Sequence, residues 1–270
     1  MGKTNRRKKR KVFSPVYMTL VLLMLYLPIL MVVIYSFNDG RTIARWQGFT
    51  TSWYTRLFSN ALMGDALKNS LILAALSCSL AGTIGTLGAI ALARSRLSKL
   101  RALESLATLP MMIPELVLGM AYLALFTAAG VKLGMGALVL THTTFCVPYV
   151  FINVKSRLAG MDPALEEAAR DLGASPARVL RDVTLPLIMP SVASGMMLSA
   201  AMSLDDVVIS FFVTSAETTT LPLKVYTGLR SGGTPEINAL STLMLGAIFL
   251  IMAAGQLLRV RGEKSSHSAR

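Results

Sequence analysis

Lys155-Ser-Arg-Leu-Ala-Gly-Met-Asp-Pro-Ala-Leu-Glu-Glu-Ala-Ala-Arg-Asp-Leu-Gly-Ala-Ser-Pro-Ala-Arg-Val-Leu-Arg-Asp-Val-Thr-Leu-Pro186 is a polar stretch set between two apolar ones. Asp162-Pro163 has the form of a helix start. An Asp side chain accepts from orphan N–H groups, and Pro suits the first helical position. That helix is expected to run to Leu172, with Gly173 in the position that follows a helix end. Ser175-Pro176 opens a second short helix on the same grounds, and Pro186 either ends it or begins the next element. Ala168 and Ala169 beside Glu167 set small side chains next to a carboxylate, a surface that a second protein could approach closely and meet through one charge. On spacing alone, an ordinary amphipathic connector fits equally well.

The flanks decide what kind of protein carries this stretch. Crossing about 30 Å of hydrocarbon takes roughly 20 apolar residues in a helix. Six runs qualify: Val16–Phe37, Asn69–Ala93, Ser105–Val131, Leu133–Val154, Val183–Ser203 and Ile237–Leu258. Within them stand Glu115 in the third and His142 in the fourth. The fifth meets Asp205 and Asp206 and then runs on apolar to Thr214. A barrel would show strands of alternating polarity, and these runs are continuous and too long for that. The composition agrees: 53% of the 270 residues are apolar and 15% charged, with a mean hydropathy of +0.58. A water-facing domain usually carries about 25% charged residues.

Of the 27 Lys and Arg residues, 20 lie in segments 1–15, 94–104, 155–182 and 259–270, against 7 in segments 38–68, 132 and 215–236. Basic residues accumulate in cytoplasmic loops, so both termini are expected in the cytoplasm. The net charge of +13 is explained in the same way. It does not point to nucleic acid, because it is divided among short loops. The expected organisation is a basic tail at 1–14, a transmembrane domain at 15–258 containing the loop 158–186, and a polar tail at 259–270. The first apolar run exceeds a signal-peptide core and has no small-residue cleavage site, so it is expected to remain as an anchor. Arg6 stands where a myristoylation signal needs Ser or Thr. Cys78 and Cys146 lie inside apolar runs and imply no disulfide framework. A membrane enzyme would need a metal cluster or an activated nucleophile. With only two histidines, neither a catalytic nor a metal site is expected.

Glu167-Ala168-Ala169, followed by Gly173 and then Val183-Thr184-Leu185-Pro186, resembles the EAA loop of ABC importer permeases. Val183 departs mildly from the usual Ile. The resemblance implies an all-α fold of six transmembrane helices with type I ABC importer permease architecture in a bacterial inner membrane. It also implies that Glu167, Ala168, Ala169, Asp171, Gly173, Leu185 and Pro186 form the element that couples to an ATPase. The chain has no Gly-x-x-x-x-Gly-Lys-Ser/Thr phosphate loop. ATP and Mg would therefore be used by a separate ATPase homodimer, with no cofactor bound here. Trp46-Gln-Gly-Phe-Thr-Thr-Ser-Trp-Tyr54, His142 through Pro148, Ser203 through Phe212 and Pro235-Glu-Ile-Asn-Ala-Leu240 are similar to the spermidine/putrescine branch, and most to its second permease subunit. The implied partners are a homologous permease, the ATPase pair, a periplasmic binding protein, a polyamine and the lipid bilayer. Ferric ion, sulfate or thiamine is the alternative cargo, and a membrane scaffold the alternative class.

A polyamine is an extended polycation, so its path wants carboxylates for the ammonium groups and aromatic rings for the methylene stems. Asp205, Asp206 and Glu115 are the candidate carboxylates, and Tyr149 and Phe145 are foremost among nearby aromatics that include Tyr122, Phe211 and Phe212. A charge at the centre of a lone membrane helix costs about 2.5–3.5 kcal/mol on insertion scales, so at least one Asp should avoid lipid. Pairing with a neighbouring helix is the other reading of either Asp. His142 reads as a core histidine with its polar atoms satisfied. Outside, Ala44–Met63 has the aromatics of an amphipathic helix at the interface, and Ala216–Glu236 has the form of a segment that dips back into the bundle. Glu217, Glu236 and Trp46 are the candidates for binding-protein contact.

Overall fold

The computed structural model describes residues 3–40, 45–94, 100–230, 235–246 and 249. Among them there is no strand, and the elements are helices in sequence order. They are α1 (Lys3–Tyr35), α2 (Ser52–Ser59), α3 (Ala61–Arg94), α4 (Leu100–Thr108), α5 (Glu115–Ala128), α6 (Met135–Ala159), α7 (Ala164–Asp171), α8 (Pro176–Val179), α9 (Leu185–Asp205), α10 (Val208–Val213) and α11 (Leu221–Arg230). Residues 62–226 form one compact unit, and residues 1–61 with 227–270 form another.

Among the described residues, four stretches are long and apolar enough to cross a membrane: Pro15–Tyr35, Ala61–Arg94, Met135–Ala159 and Pro176–Asp205. A fifth is a bent pair, Glu104–Met112 with Glu115–Ala128. Of the expected sixth span, residues 237–246 are helical; most of the rest, and the tail 259–270, lie outside the described residues. The expected basic tail is helical from Lys3 onward and continuous with the first span.

The third span departs most from expectation. Ser105–Val131 is not one helix: α4 passes into a 3-10 turn at Leu109–Met112, and α5 then leaves at 109° to that arm. Proline explains the break. Pro114 has no N–H to return to the carbonyl four residues back, and its ring pushes the preceding residue out of the helical region. Ile113 is accordingly extended, at φ −83°, ψ 133°. The fifth span is broken as well, because Asp206 is extended at φ −67°, ψ 125° between α9 and α10. At its N-terminal end the span is longer than expected. α8 does not stop before the membrane but passes through a π-turn, Leu180–Thr184, straight into α9. The N–H of Leu185 reaches back to Leu180. That wider turn accommodates Pro186, which cannot donate to Asp182.

In segment 44–63 the helix is shorter than expected. α2 covers only Ser52–Ser59, burying Trp53 and Leu57. Phe49 instead bridges to Asn38 in extended backbone, with its ring stacked on Phe37 at 5.3 Å. Asn38 is buried, and its carbonyl accepts from the Trp53 indole at 2.7 Å. In segment 216–236, Leu221 and Leu223 are buried, and the Leu221 N–H donates to Ser70 Oγ at 2.8 Å.

Inside unit 62–226, α6 packs along α9, and α10 along α5. One apolar cluster joins Leu73, Leu118, Leu138, Phe145 and Ile209; a second joins Ile90, Val150, Val154, Ile188 and Val192. Lipid tails are as apolar as leucine, so helices here associate through close packing and small residues rather than exclusion from water. Gly85 and Gly195 provide that approach on two sides of α6. A Cβ on Gly195 would stand 2.8 Å from the Val150 Cα, and one on Gly85 would stand 2.9 Å from the Val150 Cβ. Ser199 Oγ donates to the Cys146 carbonyl at 3.1 Å across the same seam.

Gly195→Ala must displace backbone, and overpacking of this kind costs about 1–3 kcal/mol. It should lower the thermal midpoint of the purified protein in detergent. Gly64→Ala, whose Cβ meets nothing within 4 Å, should leave the midpoint unchanged or raise it.

Candidate functional site

The loop 158–186 is built by its caps. The N–H of Ala164 donates to Asp162 Oδ1 at 3.0 Å, opening α7. Gly173, at φ +85°, closes it. The N–H of Ala174 returns to the Ala169 carbonyl at 3.0 Å and that of Gly173 to Arg170 at 2.8 Å. This paired arrangement is the Schellman motif, for which a residue without Cβ is preferred. Ser175 Oγ then caps α8 by accepting from the Arg178 N–H. The two-helix loop with a Gly turn is therefore present.

α7 buries no residue. Glu167, Ala168 and Asp171 are exposed, as is Pro186, while Ala169 is half-buried. Leu185 packs against the second apolar cluster instead. Leu172 is 90% exposed at the tip of the loop, and nothing in its residue type marked it out. Glu166 was also missed. Its Oε1 accepts from Thr184 Oγ1 at 2.6 Å and from Arg94 Nη2 at 3.1 Å, and its Oε2 accepts from Arg170 Nη2 at 2.9 Å. The Thr184 hydroxyl and the two guanidinium groups hold the Glu166 carboxyl below the usual carboxylate range. The Arg170 pair, spaced i, i+4, was legible in the sequence; the contacts with Arg94 and Thr184 were not.

The second locus lies where two spans break. Asp206 is buried. It accepts from the Ile209 N–H at 3.1 Å, the Ser210 N–H at 2.8 Å and Ser210 Oγ at 2.7 Å. These are first-turn donors of α10, which have no partner within that helix. His142, fully buried, has Nδ1 2.8 Å from Ser203 Oγ and Nε2 3.2 Å from Ser210 Oγ. His142 Nε2 also lies 3.4 Å from Asp206 Oδ2. A carboxylate only accepts, so Ser210 donates to Asp206 and receives from His142 Nε2, and α6, α9 and α10 are tied together. His142 is thus a core histidine with both ring nitrogens used.

Asp205 and Glu115 are exposed, and Tyr149 is half-exposed. Glu115 lies within electrostatic reach of Asp205 and Asp206, and Tyr149 within reach of Glu115. Phe145 is buried in the core with its ring on His142. Trp46 is 44% exposed and sets its ring edge-on to Tyr35. Glu236 accepts from Asn60 Nδ2 at 2.7 Å. Glu217 is exposed, and its carbonyl accepts from Asn69 Nδ2 at 3.0 Å.

A family model described as "binding-protein-dependent transport system inner membrane component" matches residues 81–260, which include both loci. The chain belongs to this family. It is 42% identical to the spermidine/putrescine transport system permease protein PotC of Escherichia coli K12 over 90% of its own length and 92% of that protein's. It is 40% identical to the putrescine transport system permease protein PotI of the same strain, over 89% and 88% of the two chains. Among solved structures, a chain of a bacterial ABC transporter that imports alginate superposes with a TM-score of 0.72, covering 96% of this chain and 98% of that one, at 16% identity. The all-helical permease fold follows from that likeness, and membership of the family makes the chain a multi-pass membrane transport component.

The adjacent carboxylates should behave differently on substitution. Asp206→Ala leaves buried donors without an acceptor, a loss of about 1–3 kcal/mol for each group left unsatisfied. It should sharply lower the amount of folded protein recovered in detergent, whereas Asp205→Asn should leave that recovery unchanged. Because Glu166 is lowered, its tether is complete above the ordinary carboxylate range and lost as pH falls through its depressed value. A nitroxide on Leu172→Cys should therefore stay at constant mobility from neutral pH down through the ordinary carboxylate range, and loosen only below it.

Proposed function

We propose that this chain is a permease subunit of an ABC importer that carries polyamines, spermidine or putrescine, across a bacterial inner membrane. The observation that supports this most is the likeness to PotC, which runs through nearly the whole of both chains. In this reading the chain crosses the membrane six times with both termini inside. It pairs with a homologous permease and receives cargo from a periplasmic binding protein. ATP and Mg belong to an ATPase pair outside this chain, which itself performs no covalent chemistry. Residues 15–258 act as the transmembrane domain between a basic tail and a polar one.

The geometry suits a cation. Glu115 and Asp205 are exposed carboxylates beside two broken spans, and Tyr149 is within electrostatic reach of Glu115. The last carbonyls of α9 point past Asp205 without helical partners, and such ends carry partial negative charge. An ammonium group passing there meets carboxylates, carbonyls and an aromatic ring. Asp206 shapes the site rather than contacting cargo. Glu167, Ala168, Asp171, Gly173 and the exposed Pro186 form the face gripped by the ATPase. Trp46, Glu217 and Glu236 are the proposed contacts for the binding protein.

Uptake of labelled putrescine, spermidine and sulfate by cells carrying the full set of subunits tests the cargo. Only the two polyamines should enter, and sulfate uptake would overturn the reading. Glu115→Gln and Asp205→Asn should each raise the KM for polyamine about tenfold, as expected for a lost charge-assisted contact of about 1.4 kcal/mol. Gly173→Asp should reach the membrane and retain less ATPase on purification; normal association and uptake would count against the docking role.

A further inference from the structure

We infer that Arg94, Glu166 and Thr184 form the joint through which movement of the cytoplasmic loop is passed to α3 and α9. These are positioning residues for transport, acting through the spans rather than on cargo, and the inference rests on the importer reading above.

The three side chains close a triangle. Thr184 Oγ1 donates to Glu166 Oε1 at 2.6 Å, Arg94 Nη2 donates to the same oxygen at 3.1 Å, and Arg94 Nη2 also reaches Thr184 Oγ1 at 3.0 Å. Each comes from a different element: Arg94 ends α3, Glu166 sits in the first turn of α7, and Thr184 closes the π-turn that leads into α9. Two of the corners are rooted in the packed interior. Thr184 is fully buried, and Ile188, one turn further on, packs with Ile90, one turn before Arg94. The third corner belongs to a helix with no buried residue of its own.

That asymmetry gives the triangle its role. A helix that rested on the spans through apolar side chains would transmit force across its whole face. α7 has no such seat. Beside Arg94 and Glu166 lies an open cleft of about 210 Å³, walled by Ile90, Leu158, Met161 and Pro163. Among the described side-chain hydrogen bonds and ion pairs of α7, it is the Glu166 carboxylate that reaches α3 and the π-turn leading into α9; α7 also lies against α8 and that π-turn. The neighbouring Glu167 is exposed. Successive helical residues point about 100° apart, so one carboxylate can face a partner while the other holds the spans. The π-turn under Thr184 has the wider hydrogen-bond pattern often found at functional bends.

The test uses the complete transporter, this chain with its second permease, ATPase pair and binding protein, in proteoliposomes with labelled putrescine. ATP hydrolysis and uptake are measured together. For Glu166→Gln and for Arg94→Gln, the subunits should remain associated and hydrolysis should stay within about twofold of the parent, while uptake per ATP falls about tenfold or more, within the range of ordinary coupling energies. Thr184→Val should give a smaller loss in the same ratio. Arg94→Glu combined with Glu166→Arg should recover part of it, which a merely structural lesion would not do. An unchanged ratio in Glu166→Gln overturns the joint, as does a loss of ATPase from the complex in proportion to the loss of uptake. Should Glu166→Gln fail to reach the membrane, Arg94→Gln and Thr184→Val decide by the same ratio. If the parent assembly itself shows no ATP-driven polyamine uptake, the importer reading fails and the joint goes with it.

Discussion

A backbone amide or carbonyl left unpaired in hydrocarbon costs several kcal/mol, so helices cross membranes intact unless something else satisfies them. This chain nevertheless breaks two of its spans. The break after Asp205 holds because Asp206 turns its carboxylate onto the first amides of α10, and His142 and Ser210 lock that carboxylate in place. The break at Ile113 holds because Pro114 removes a donor, and the extended residue before it starts a new helix rather than continuing the old one. Without the break at Ile113, α5 could not leave at 109° to the arm before it, and it is α5 that packs along α10.

That pairing sets what Glu115 and Asp205 can do. Glu115 begins α5 and Asp205 ends α9, so both lie at discontinuities. A carboxylate in the middle of a packed helix would need a basic partner to be tolerated. At a discontinuity, a cavity or partner subunit can supply water and the exposed group remains available to cargo. Gly119 keeps α10 close: a Cβ there would stand 2.6 Å from the Phe212 ring.

The sequence showed much of this through residues with narrow conformational roles. Proline, glycine and capping residues act locally, so Asp162, Gly173 and Ser175 mark the loop's helices where the structure has them. Pro114 stands in the third apolar run, but composition could not say that the span bends there by 109°, because that depends on what α5 packs against. The outer aromatic segment misled for a similar reason. Spacing that suits an amphipathic helix also suits a short helix preceded by extended backbone, and the buried Asn38 decided for the latter. Side-chain direction was least legible. Asp205 and Asp206 are one residue apart and chemically alike, yet one is exposed while the other is buried among donors.

Glu166 and Glu167 repeat that division in the loop 158–186, and the parallel has a physical origin. At the end of an element, consecutive residues face different surroundings, so a doubled carboxylate can hold the element with one member and leave the other to a visitor. In the span, the inner member pairs with helix amides and a histidine. In the loop, it pairs with Arg94 and Thr184. A single carboxylate in either place would have to choose between rigidity and recognition, since a group that accepts three internal hydrogen bonds has little capacity left for a ligand. Doubling separates the two demands. The fixed partner sets where its neighbour points, and a visitor meets a charge that is already in position.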